Sequence, residues 1–593
     1  MTRLALFLLT AALALARQDD ATPRRYHLEL TLDPSREPFA GTLRLDLDLA
    51  RPLTSITLNA KDLTILDSSI EIAGDNRPLT HRIDGENIIL ESAESLPPGT
   101  ATLTLRYTGL LRERPLLGAY RHQYNGDWYL FTTFTPIEAR RVFPCFDDPH
   151  FKSAWQLELR IPRGLKAVAN APAVREQPDG TDRTRVTFAP IGPLPAELVA
   201  FAVGPFDIVD AGAAGERNIE VRVITPRGLA SQAAYAGEAT RQVLPRLERY
   251  TGIPFPFPKL DHLALLEGAF GAVENPGLIT YRLRSLLAAP DVATVEWKRR
   301  LRGLMAHELA HQWFGNLVTQ DSWEDVWLSE GFATWLGGKV MDEELPPAER
   351  RVAAVSAREQ ILRDDSDTAQ PVRKPRSTRQ ELESVYNPFV YQKGAAILLM
   401  LEGWLGEEKV RQAMQSYLRG HANSTATTAA LAEALRAATG QDPAGLWPTF
   451  LDRTSPPSIE TSLECSPSRA AVLTVRAPAP VPVCVKAEGR PDRCALISPA
   501  SPAIDLGPGC PAWFYPNAGG TGYYRTRLTG AQLESIPLSA LSAPERLTLL
   551  YDAAPLRKSA GSAEAAKQIL QFLNADPNPT IAAQARRLAD QPE

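Results

Sequence analysis

The sequence predicts a multidomain α+β protein with an N-terminal antiparallel β domain, a mostly helical domain, a small β-sandwich and a short C-terminal helical segment. With 593 residues, the chain is too long for a single hydrophobic core. Apolar residues alternate with polar ones in its first third and follow a helical period through its middle. A later proline-rich stretch holds four of the five cysteines. These changes of pattern divide the chain into the regions described below.

The composition is that of a soluble globular protein, with 44% hydrophobic and 22% charged residues. The 64 Lys and Arg residues and the 69 Asp and Glu residues give a net charge of −5. The sequence contains no long basic run that could follow a phosphate backbone, so we expect no nucleic-acid partner. The oligomeric state is left open by the sequence.

Residues 1–16 are predicted to be a secretory signal peptide. Arg3 precedes a 12-residue apolar run, and the small residues Ala14 and Ala16 mark a cleavage site. The alternative is an uncleaved membrane anchor, but the run is shorter than the roughly 20 residues that a membrane-spanning helix needs. We therefore expect an exported protein, periplasmic or secreted, with no stable membrane span.

Residues 17–206 are predicted to form the N-terminal β domain. The segments 27–32, 42–49, 101–107 and 155–161 alternate apolar and polar residues. Such alternation is typical of an antiparallel sheet with one face in water. Residues 207–453 are predicted to form a mostly helical domain, after a short β stretch at 219–224. Its central element is a long helix at 294–314.

Residues 454–528 are predicted to be a small β-sandwich, and residues 529–593 a helical segment that packs on its neighbours. The sandwich contains Cys465, Cys484, Cys494 and Cys510, whereas Cys145 lies far away. Four clustered cysteines in an exported protein predict two disulfides, and three pairings are possible. A second zinc site is the alternative, but no two of the four are separated by only two residues, as zinc-binding pairs commonly are.

A zinc site is predicted by the pentapeptide His-Glu-Leu-Ala-His at residues 307–311. On a helix, His307 and His311 lie on one face with Cβ atoms roughly 5–6 Å apart, so both imidazoles can bind one cation. Glu308 is offset from this pair and can act as general base on a water without binding the metal. We predict one Zn²⁺ per chain.

Glu330 is the predicted third zinc ligand. The 19 positions from His311 to Glu330 would span roughly 28 Å of helix, so the chain must turn back. Residues 315–316 are a plausible helix end and residues 321–322 a plausible start of the next helix. Three protein ligands leave a fourth position for water, as in catalytic zinc sites.

Three further segments carry a family resemblance, at residues 139–147, 271–275 and 391–395. Together with the zinc motif they resemble the aminopeptidase N family of zinc metallopeptidases, also called gluzincin aminopeptidases. The resemblance extends, with gaps, from about Tyr26 to about Asp552. It implies that residues 207–453 form a thermolysin-like catalytic domain with His307, His311 and Glu330 as ligands.

The resemblance also implies roles for residues outside the zinc motif. Tyr391 would stabilise the oxyanion of the transition state, although a tyrosine before an apolar helix often belongs to the core. Glu274 would bind the free α-ammonium of the substrate, although it could instead be a solvated residue of a turn. Gly271 and Ala272 would form the strand edge along which the peptide lies.

The sequence departs from the family pattern at two positions of the β domain. Thr133 and Thr135 stand where the family usually has a Gln and a Glu or Gln. One contact to the substrate ammonium is therefore weakened or supplied elsewhere. Ser329 replaces a common Asn, a change to which we attach no consequence. Asp325 could orient a ligand imidazole or, equally, cap a helix.

The sequence thus predicts a zinc-dependent aminopeptidase that hydrolyses N-terminal residues from peptides, with a zinc-activated water and Glu308 as general base. Relatives commonly continue into a large helical domain, so the shorter C-terminal part predicts a more open cleft. Alternatives are a zinc endopeptidase or another hydrolase on the same scaffold. A non-catalytic, receptor-like binding protein is a further alternative.

Overall fold

The computed structural model describes residues 20–363, 370–466 and 469–590. The predicted signal peptide, residues 1–16, lies outside these ranges. The predicted fold class is confirmed: a β-rich N-terminal region is followed by a helical region, further small sheets and C-terminal helices. No helix within the described ranges is both long enough and apolar enough to cross a bilayer.

The N-terminal region consists of β-strands joined by short turns and two 3₁₀ helices, Ala139–Arg141 and Ala196–Leu198. The strands are β1 (Ala21–Thr31), β2 (Pro38–Leu49), β3 (Leu53–Asn59), β4 (Thr64–Ile72), β5 (Asp75–Pro78), β6 (Thr80–Asp84), β7 (Asn87–Leu96), β8 (Gly99–Leu110), β9 (Gly118–Tyr124), β10 (Asp127–Thr133), β11 (Ser153–Pro162), β12 (Lys166–Ala169), β13 (Ala173–Asp179), β14 (Arg183–Phe188), β15 (Ile191–Leu194) and β16 (Phe201–Gly204).

The largest sheet has nine strands in the order β13-β14-β11-β1-β2-β8-β4-β5, with β15 also paired to β11. Its neighbours are antiparallel except β1 and β11, which run parallel. In β2 the leucines at alternate positions are buried while the residues between them are more exposed, as the alternating pattern predicts. Smaller sheets, β3-β7-β6 and β12-β16-β10-β9, complete this region.

A mixed five-stranded sheet leads into the helical region. It contains β17 (Phe206–Ala214), β18 (Ile219–Pro226), β19 (Leu260–Leu265), β20 (Ala272–Val273) and β21 (Leu278–Arg282), in the order β17-β18-β19-β21-β20. The short strand β20 is therefore an edge strand, antiparallel to β21. Its position leaves one side of its backbone without a neighbouring strand in this sheet.

The helical region contains the three helices that carry the candidate site, α3, α4 and α7. Its elements are α1 (Ala234–Thr251), α2 (Leu283–Leu286), α3 (Val295–Ala310), β22 (Val318–Gln320), α4 (Trp327–Asp342), α5 (Pro347–Arg363), α6 (Arg379–Glu383), α7 (Pro388–Leu405), α8 (Glu407–Gly420), β23 (Ser424–Ala426), α9 (Thr428–Thr439) and α10 (Trp447–Phe450).

Helices α4 and α7 approach each other through two glycines. A Cβ atom added to Gly331 would lie 2.9 Å from Cα of Gly394, and one added to Gly394 would lie 2.8 Å from Cα of Gly331. Both distances are too short for ordinary packing, so neither position accepts a larger residue without moving the helices apart. This close contact brings Glu330 on α4 near Tyr391 on α7.

The chain ends in a small two-sheet unit and four helices. The strands are β24 (Ser458–Ser466), β25 (Arg469–Arg476), β26 (Val481–Ala487), β27 (Arg493–Ile497), β28 (Ala503–Pro508), β29 (Phe514–Tyr515) and β30 (Arg525–Arg527), in sheets β28-β25-β24-β30 and β27-β26-β29. The helices are α11 (Gly530–Ser535), α12 (Ala543–Ala553), α13 (Ala563–Leu573) and α14 (Pro579–Ala589).

Two disulfides link residues of the small sheets, as predicted, and the structure selects one of the three pairings. Cys465 pairs with Cys510, and Cys484 with Cys494. Cys145 is a buried free thiol. The C-terminal helices share a hydrophobic cluster with Val352 and Val355 of α5, so they pack on the helical region.

Candidate active site

Helix α3 places the two histidines, and it ends earlier than its apolar pattern predicts. Thr294 caps its N-terminus by accepting a hydrogen bond from the Trp297 amide at 3.1 Å. The α-helix ends at Ala310, so His311 is the C-cap residue. Gly315 follows with φ of 121°, a conformation that favours glycine. The chain then passes through β22 toward α4.

Helix α4 brings Glu330 back to the histidine pair. It begins at Trp327, six residues beyond the predicted start at 321–322, because the residues in between form the 3₁₀ helix Trp323–Asp325. Glu330 lies in the first turn of α4 and is buried. Packing of α4 on α3 includes Gly337, where an added Cβ would lie 3.0 Å from the His307 amide nitrogen.

The three predicted ligands converge on one point. Nε2 of His307 lies 3.1 Å from Nε2 of His311, and Oε2 of Glu330 lies 3.4 Å and 3.3 Å from these two nitrogens. Ligand atoms bound at about 2.0–2.1 Å to a tetrahedral zinc ion are separated by about 3.3–3.4 Å. The separations between these atoms therefore fit zinc.

The charges at the site also favour a cation. Burial would lower the pKa of His311, but the carboxylates of Glu330 and Glu274 outweigh burial and raise it to about 10. Burial would raise the pKa of Glu330, but the two imidazoles lower it to about 2. Oε2 of Glu330 is buried and accepts no hydrogen bond from the residues that the structure describes, as expected of an atom that binds a metal.

A second set of ligand atoms overlaps the first. Glu274, Glu308 and His311 offer donor atoms that all lie within 4.8 Å of one another. The set of His307, His311 and Glu330 fits zinc better, because it supplies two nitrogens and one oxygen at matching separations. Glu274 and Glu308 would then lie beside a bound metal without binding it.

Each of the two candidate ligand imidazoles, His311 and His307, has a side-chain hydroxyl near its Nδ1 atom. Nδ1 of His311 lies 2.9 Å from Oγ of Ser329 and 3.1 Å from the Phe314 carbonyl oxygen. A carbonyl only accepts, so Nδ1 carries the proton and Nε2 is free to bind a metal. Nδ1 of His307 lies 3.5 Å from Oγ1 of Thr334. Sequence reasoning assigned a role to neither hydroxyl residue.

Asp325 does not orient an imidazole. Its carboxylate accepts hydrogen bonds from the amide and the hydroxyl of Thr428, at 2.9 Å and 2.6 Å. It therefore holds the start of α9. The sequence left two roles open for Asp325, orienting a ligand imidazole or capping a helix. The structure contradicts the first role. The helix that Asp325 supports is α9 and not α4.

Glu308 and Tyr391 flank the metal ligands. Burial raises the pKa of Glu308 well above its ordinary value, and the charges of Glu274 and Glu330 add to this effect while His311 opposes it. The carboxylate is therefore a stronger base than an exposed glutamate. The Tyr391 ring lies 5.8 Å from the His307 ring, centroid to centroid. Burial and the charge of Glu330 raise the pKa of Tyr391 well above its ordinary value, so its phenol stays protonated.

Glu274 follows the edge strand β20 and is anchored to the turn that follows α3. Its carbonyl oxygen accepts hydrogen bonds from the side-chain amides of Gln312 and Asn316, both at 2.8 Å. Gly271 and Ala272 lie at the sheet edge, where Gly271 is exposed and Ala272 is partly buried. Burial raises the pKa of Glu274, and Glu330 adds to the effect while His311 opposes it.

Thr133 and Thr135, the departures from the family pattern, are both buried. The Thr135 hydroxyl forms a short hydrogen bond with the hydroxyl of Tyr386. Thr135 lines a small cavity next to Glu274 and Glu330, and a residue that sequence reasoning missed, Glu197, lines it too. The signal for Glu197 was available, since it is a single acidic residue within an apolar stretch at 194–203.

Two protein-family models match the chain. The peptidase family M1 domain covers residues 235–450, and the peptidase M1 N-terminal domain covers residues 22–198. The chain belongs to peptidase family M1. The first match contains the zinc motif and the segments 271–275 and 391–395, and the second contains the segment 139–147.

Several M1 relatives are aminopeptidases by name. Aminopeptidase M1 of Arabidopsis thaliana is 34% identical over 433 residues, 71% of this chain and 49% of the relative. Aminopeptidase 2, mitochondrial, of Saccharomyces cerevisiae is 29% identical over 582 residues, which are 91% of this chain and 59% of the relative. Glutamyl aminopeptidase of Sus scrofa is 31% identical over 442 residues, which are 71% of this chain and 46% of the relative. The chain thus spans about half the length of these M1 relatives.

Proposed function

We propose that the protein is a zinc-dependent aminopeptidase that removes N-terminal residues from peptides. The observation that carries the proposal is the position of Glu274 within 4.8 Å of the donor atoms of Glu308 and His311. A carboxylate so close to the reacting centre favours a substrate whose first residue carries a positive charge. The names of the M1 relatives support the same activity.

His307, His311 and Glu330 would hold the zinc ion. When bound, zinc supplies a Lewis acid that polarises the scissile carbonyl and acidifies water. Glu308 accepts the proton of the attacking water, because its carboxylate is buried and basic, and then delivers this proton to the departing amine. Tyr391 donates its phenolic proton in a hydrogen bond to the carbonyl oxygen as negative charge develops there.

The remaining groups position the peptide. The open side of β20 can pair with the substrate backbone as an added strand, with Gly271 and Ala272 at the point of contact. Glu274 binds the α-ammonium, so the first peptide bond lies at the metal centre. An endopeptidase would need space for further residues next to Glu274, and the cavity that Glu274 lines has a volume of about 10 Å³.

The test is hydrolysis of a leucine anilide compared with its N-acetylated form. An aminopeptidase should lose nearly all activity on acetylation, because acetylation removes the charge that Glu274 binds. Equal rates on both compounds would favour the alternative of an endopeptidase or another hydrolase. No hydrolysis by protein that contains one equivalent of zinc would favour a receptor-like binding protein.

We also propose that the protein is exported, to the periplasm or out of the cell. The two disulfides support this proposal, since such bonds persist in oxidising compartments. Expression of the full chain in a bacterium, followed by N-terminal analysis of the product, tests the proposal. A mature chain that starts at residue 17 in the periplasm is expected, and an intact chain in the cytoplasm would argue against export.

A further inference from the structure

We infer that Glu197 is a second carboxylate that binds the substrate ammonium, in the small cavity that Glu274 also lines. This inference rests on the proposed aminopeptidase function. Glu197 belongs to the 3₁₀ helix Ala196–Leu198 and is 3% exposed. Its Oε2 atom is buried and has no hydrogen-bond partner among the described residues. Buried carboxylate oxygens are seldom left unpaired, so this atom points to a ligand.

The cavity has the size and the lining of an ammonium site. Glu197, Glu274 and Glu330 line it together with Thr135 and Tyr386, and its volume is about 10 Å³. That is about the space of one water-sized group, and an ammonium group is of this size. Three carboxylates around such a space favour a cation, because they repel one another without it.

The buried residue Asn170 links the two backbone segments that carry Glu197 and Glu274. The side-chain amide of Asn170 donates hydrogen bonds to the carbonyl oxygens of Leu198, at 3.0 Å, and of Pro276, at 2.9 Å. Leu198 follows Glu197 directly, and Pro276 lies two residues after Glu274. Asn170 is itself buried. The two turns are therefore tied together at a fixed separation before any substrate binds.

The Thr135 side chain carries no negative charge with which to bind the ammonium. Its hydroxyl already forms a hydrogen bond with the Tyr386 hydroxyl. The family usually has a Glu or Gln at this position, so a short hydroxyl side chain stands here in place of a longer acceptor. Glu197 lines the same cavity and offers a carboxylate there. Glu197 can therefore serve the substrate ammonium where the side chain at position 135 does not.

The charges around Glu197 favour the arrival of a cation. Burial raises the pKa of Glu197 well above the ordinary value, and the negative charges of Asp147, Asp148 and Glu274 add to the effect. The positive charge of Lys152 reaches Glu197, but its ammonium group donates to the carbonyl oxygens of Asn316 and Leu317, at 2.9 Å and 3.1 Å. An arriving α-ammonium would therefore supply the balancing charge.

The experiment compares inhibitors with and without the amine in Glu197→Gln. Leucine hydroxamate and its des-amino analogue differ only in the α-ammonium, so the ratio of their inhibition constants measures amine binding. We expect Glu197→Gln to lower the wild-type preference for the amine about tenfold or more, with KM for leucine anilide raised more than kcat is lowered. The matched control is Glu402→Gln, which removes another buried carboxylate, one that pairs with Lys339 at 3.0 Å and does not line this cavity. This variant should leave the ratio unchanged.

Relocating the carboxylate completes the test. The double variant Thr135→Glu/Glu197→Gln returns an acid to the same cavity from a different position of the chain, and we expect it to restore most of the wild-type preference. A ratio that is unchanged in Glu197→Gln, or lowered in Glu197→Gln without recovery in the double variant, would overturn the inference. If Glu197→Gln fails to fold, Glu197→Met, which also removes the carboxylate, gives the same reading.

The two proposals fail in different ways. Absence of wild-type activity on leucine anilide would refute the aminopeptidase function, whereas calorimetric binding of the two hydroxamates would still report on Glu197. Normal wild-type activity with an unchanged amine preference in Glu197→Gln would refute only the role of Glu197.

Discussion

Oγ of Ser329 lies 2.9 Å from Nδ1 of His311, so the residue next to Glu330, one candidate zinc ligand, also supports His311, another. Gly315 makes this contact possible, because a Cβ atom at that position would lie 2.4 Å from Oγ of Ser329. The turn that contains Gly315 and the helix α4 therefore both contact the imidazole of His311. The position of Ser329 along the chain gives it this role, since α4 reaches the C-terminal end of α3 at its first turn.

Ser329→Ala should weaken zinc binding. Loss of a hydrogen bond behind a ligand imidazole commonly lowers metal affinity 10–100-fold. We expect about tenfold here, because the Phe314 carbonyl still accepts from Nδ1 of His311. Competition with a chelator measures the affinity. Ser535→Ala, at an exposed serine, is the matched control, and equal affinities in the two variants would contradict the role of Ser329.

Glu308→Gln should keep zinc and lose at least about a hundredfold in kcat, because removal of a general base has an effect of this size. Glutamine has almost the same shape as glutamate but accepts no proton. Metal analysis and single-substrate kinetics on leucine anilide provide the measurement. Near-normal rates in a variant with one equivalent of zinc would refute the assigned role.

Tyr391→Phe should lower kcat by about 10²–10³-fold with little change in KM. The phenol is proposed to bind the carbonyl oxygen only as charge develops, and loss of one such donor costs about 2.7–4 kcal/mol in other hydrolases. The Phe ring retains the packing beside His307. Steady-state kinetics of the variant measure both constants, and a rise in KM at constant kcat would instead indicate a role in substrate binding.

The convergence of His307, His311 and Glu330 could be predicted because their relationship is local or carried by specific motifs. His307 and His311 converge through helix geometry alone, and Glu330 follows once the chain turns back. The end of α3 was predicted four residues too late. Trp313 and Phe314 are buried and continue the apolar pattern, which does not reveal that the backbone has left the α-helix.

The supporting residues could not be predicted because they depend on packing between distant elements. Ser329 contacts His311 through the docking of α4 on α3, and Asn170 links the segments that carry Glu197 and Glu274. Asp325 was assigned a possible role at the ligands for its closeness in sequence to Glu330. Its carboxylate instead bonds Thr428, a contact over 103 positions of the chain.

A buried acid outside the site should make the stability of the protein depend on pH. Asp552 on α12 is buried, and its Oδ2 atom has no hydrogen-bond partner among the described residues. Oδ1 accepts from the Thr526 amide at 3.3 Å, and Arg525 lies 3.9 Å away. Burial outweighs Arg525 and raises the pKa of Asp552 from 3.8 to about 7, with Glu359 adding to the effect.

The direction of this pH dependence follows from the number of protons bound by the folded and the unfolded protein. Between pH 3.8 and about 7 the folded protein keeps the proton on Asp552 while the unfolded chain releases it. The folded state then binds more protons, so the free energy of unfolding falls as pH rises through this window. Above about pH 7 the cost is complete and amounts to at most about 4 kcal/mol.

Asp552→Asn should therefore stabilise the protein at pH 8. The amide oxygen of asparagine can still accept from the Thr526 amide, but no charge is buried. The gain should shrink to about a third at pH 5, where the wild-type side chain is mostly protonated in the folded state. Urea unfolding at both pH values measures the difference, with Asp505→Asn at an exposed position as the control. A gain that is equal at pH 5 and pH 8 would mean that removal of a hydrogen-bond acceptor, and not of a charge, is responsible.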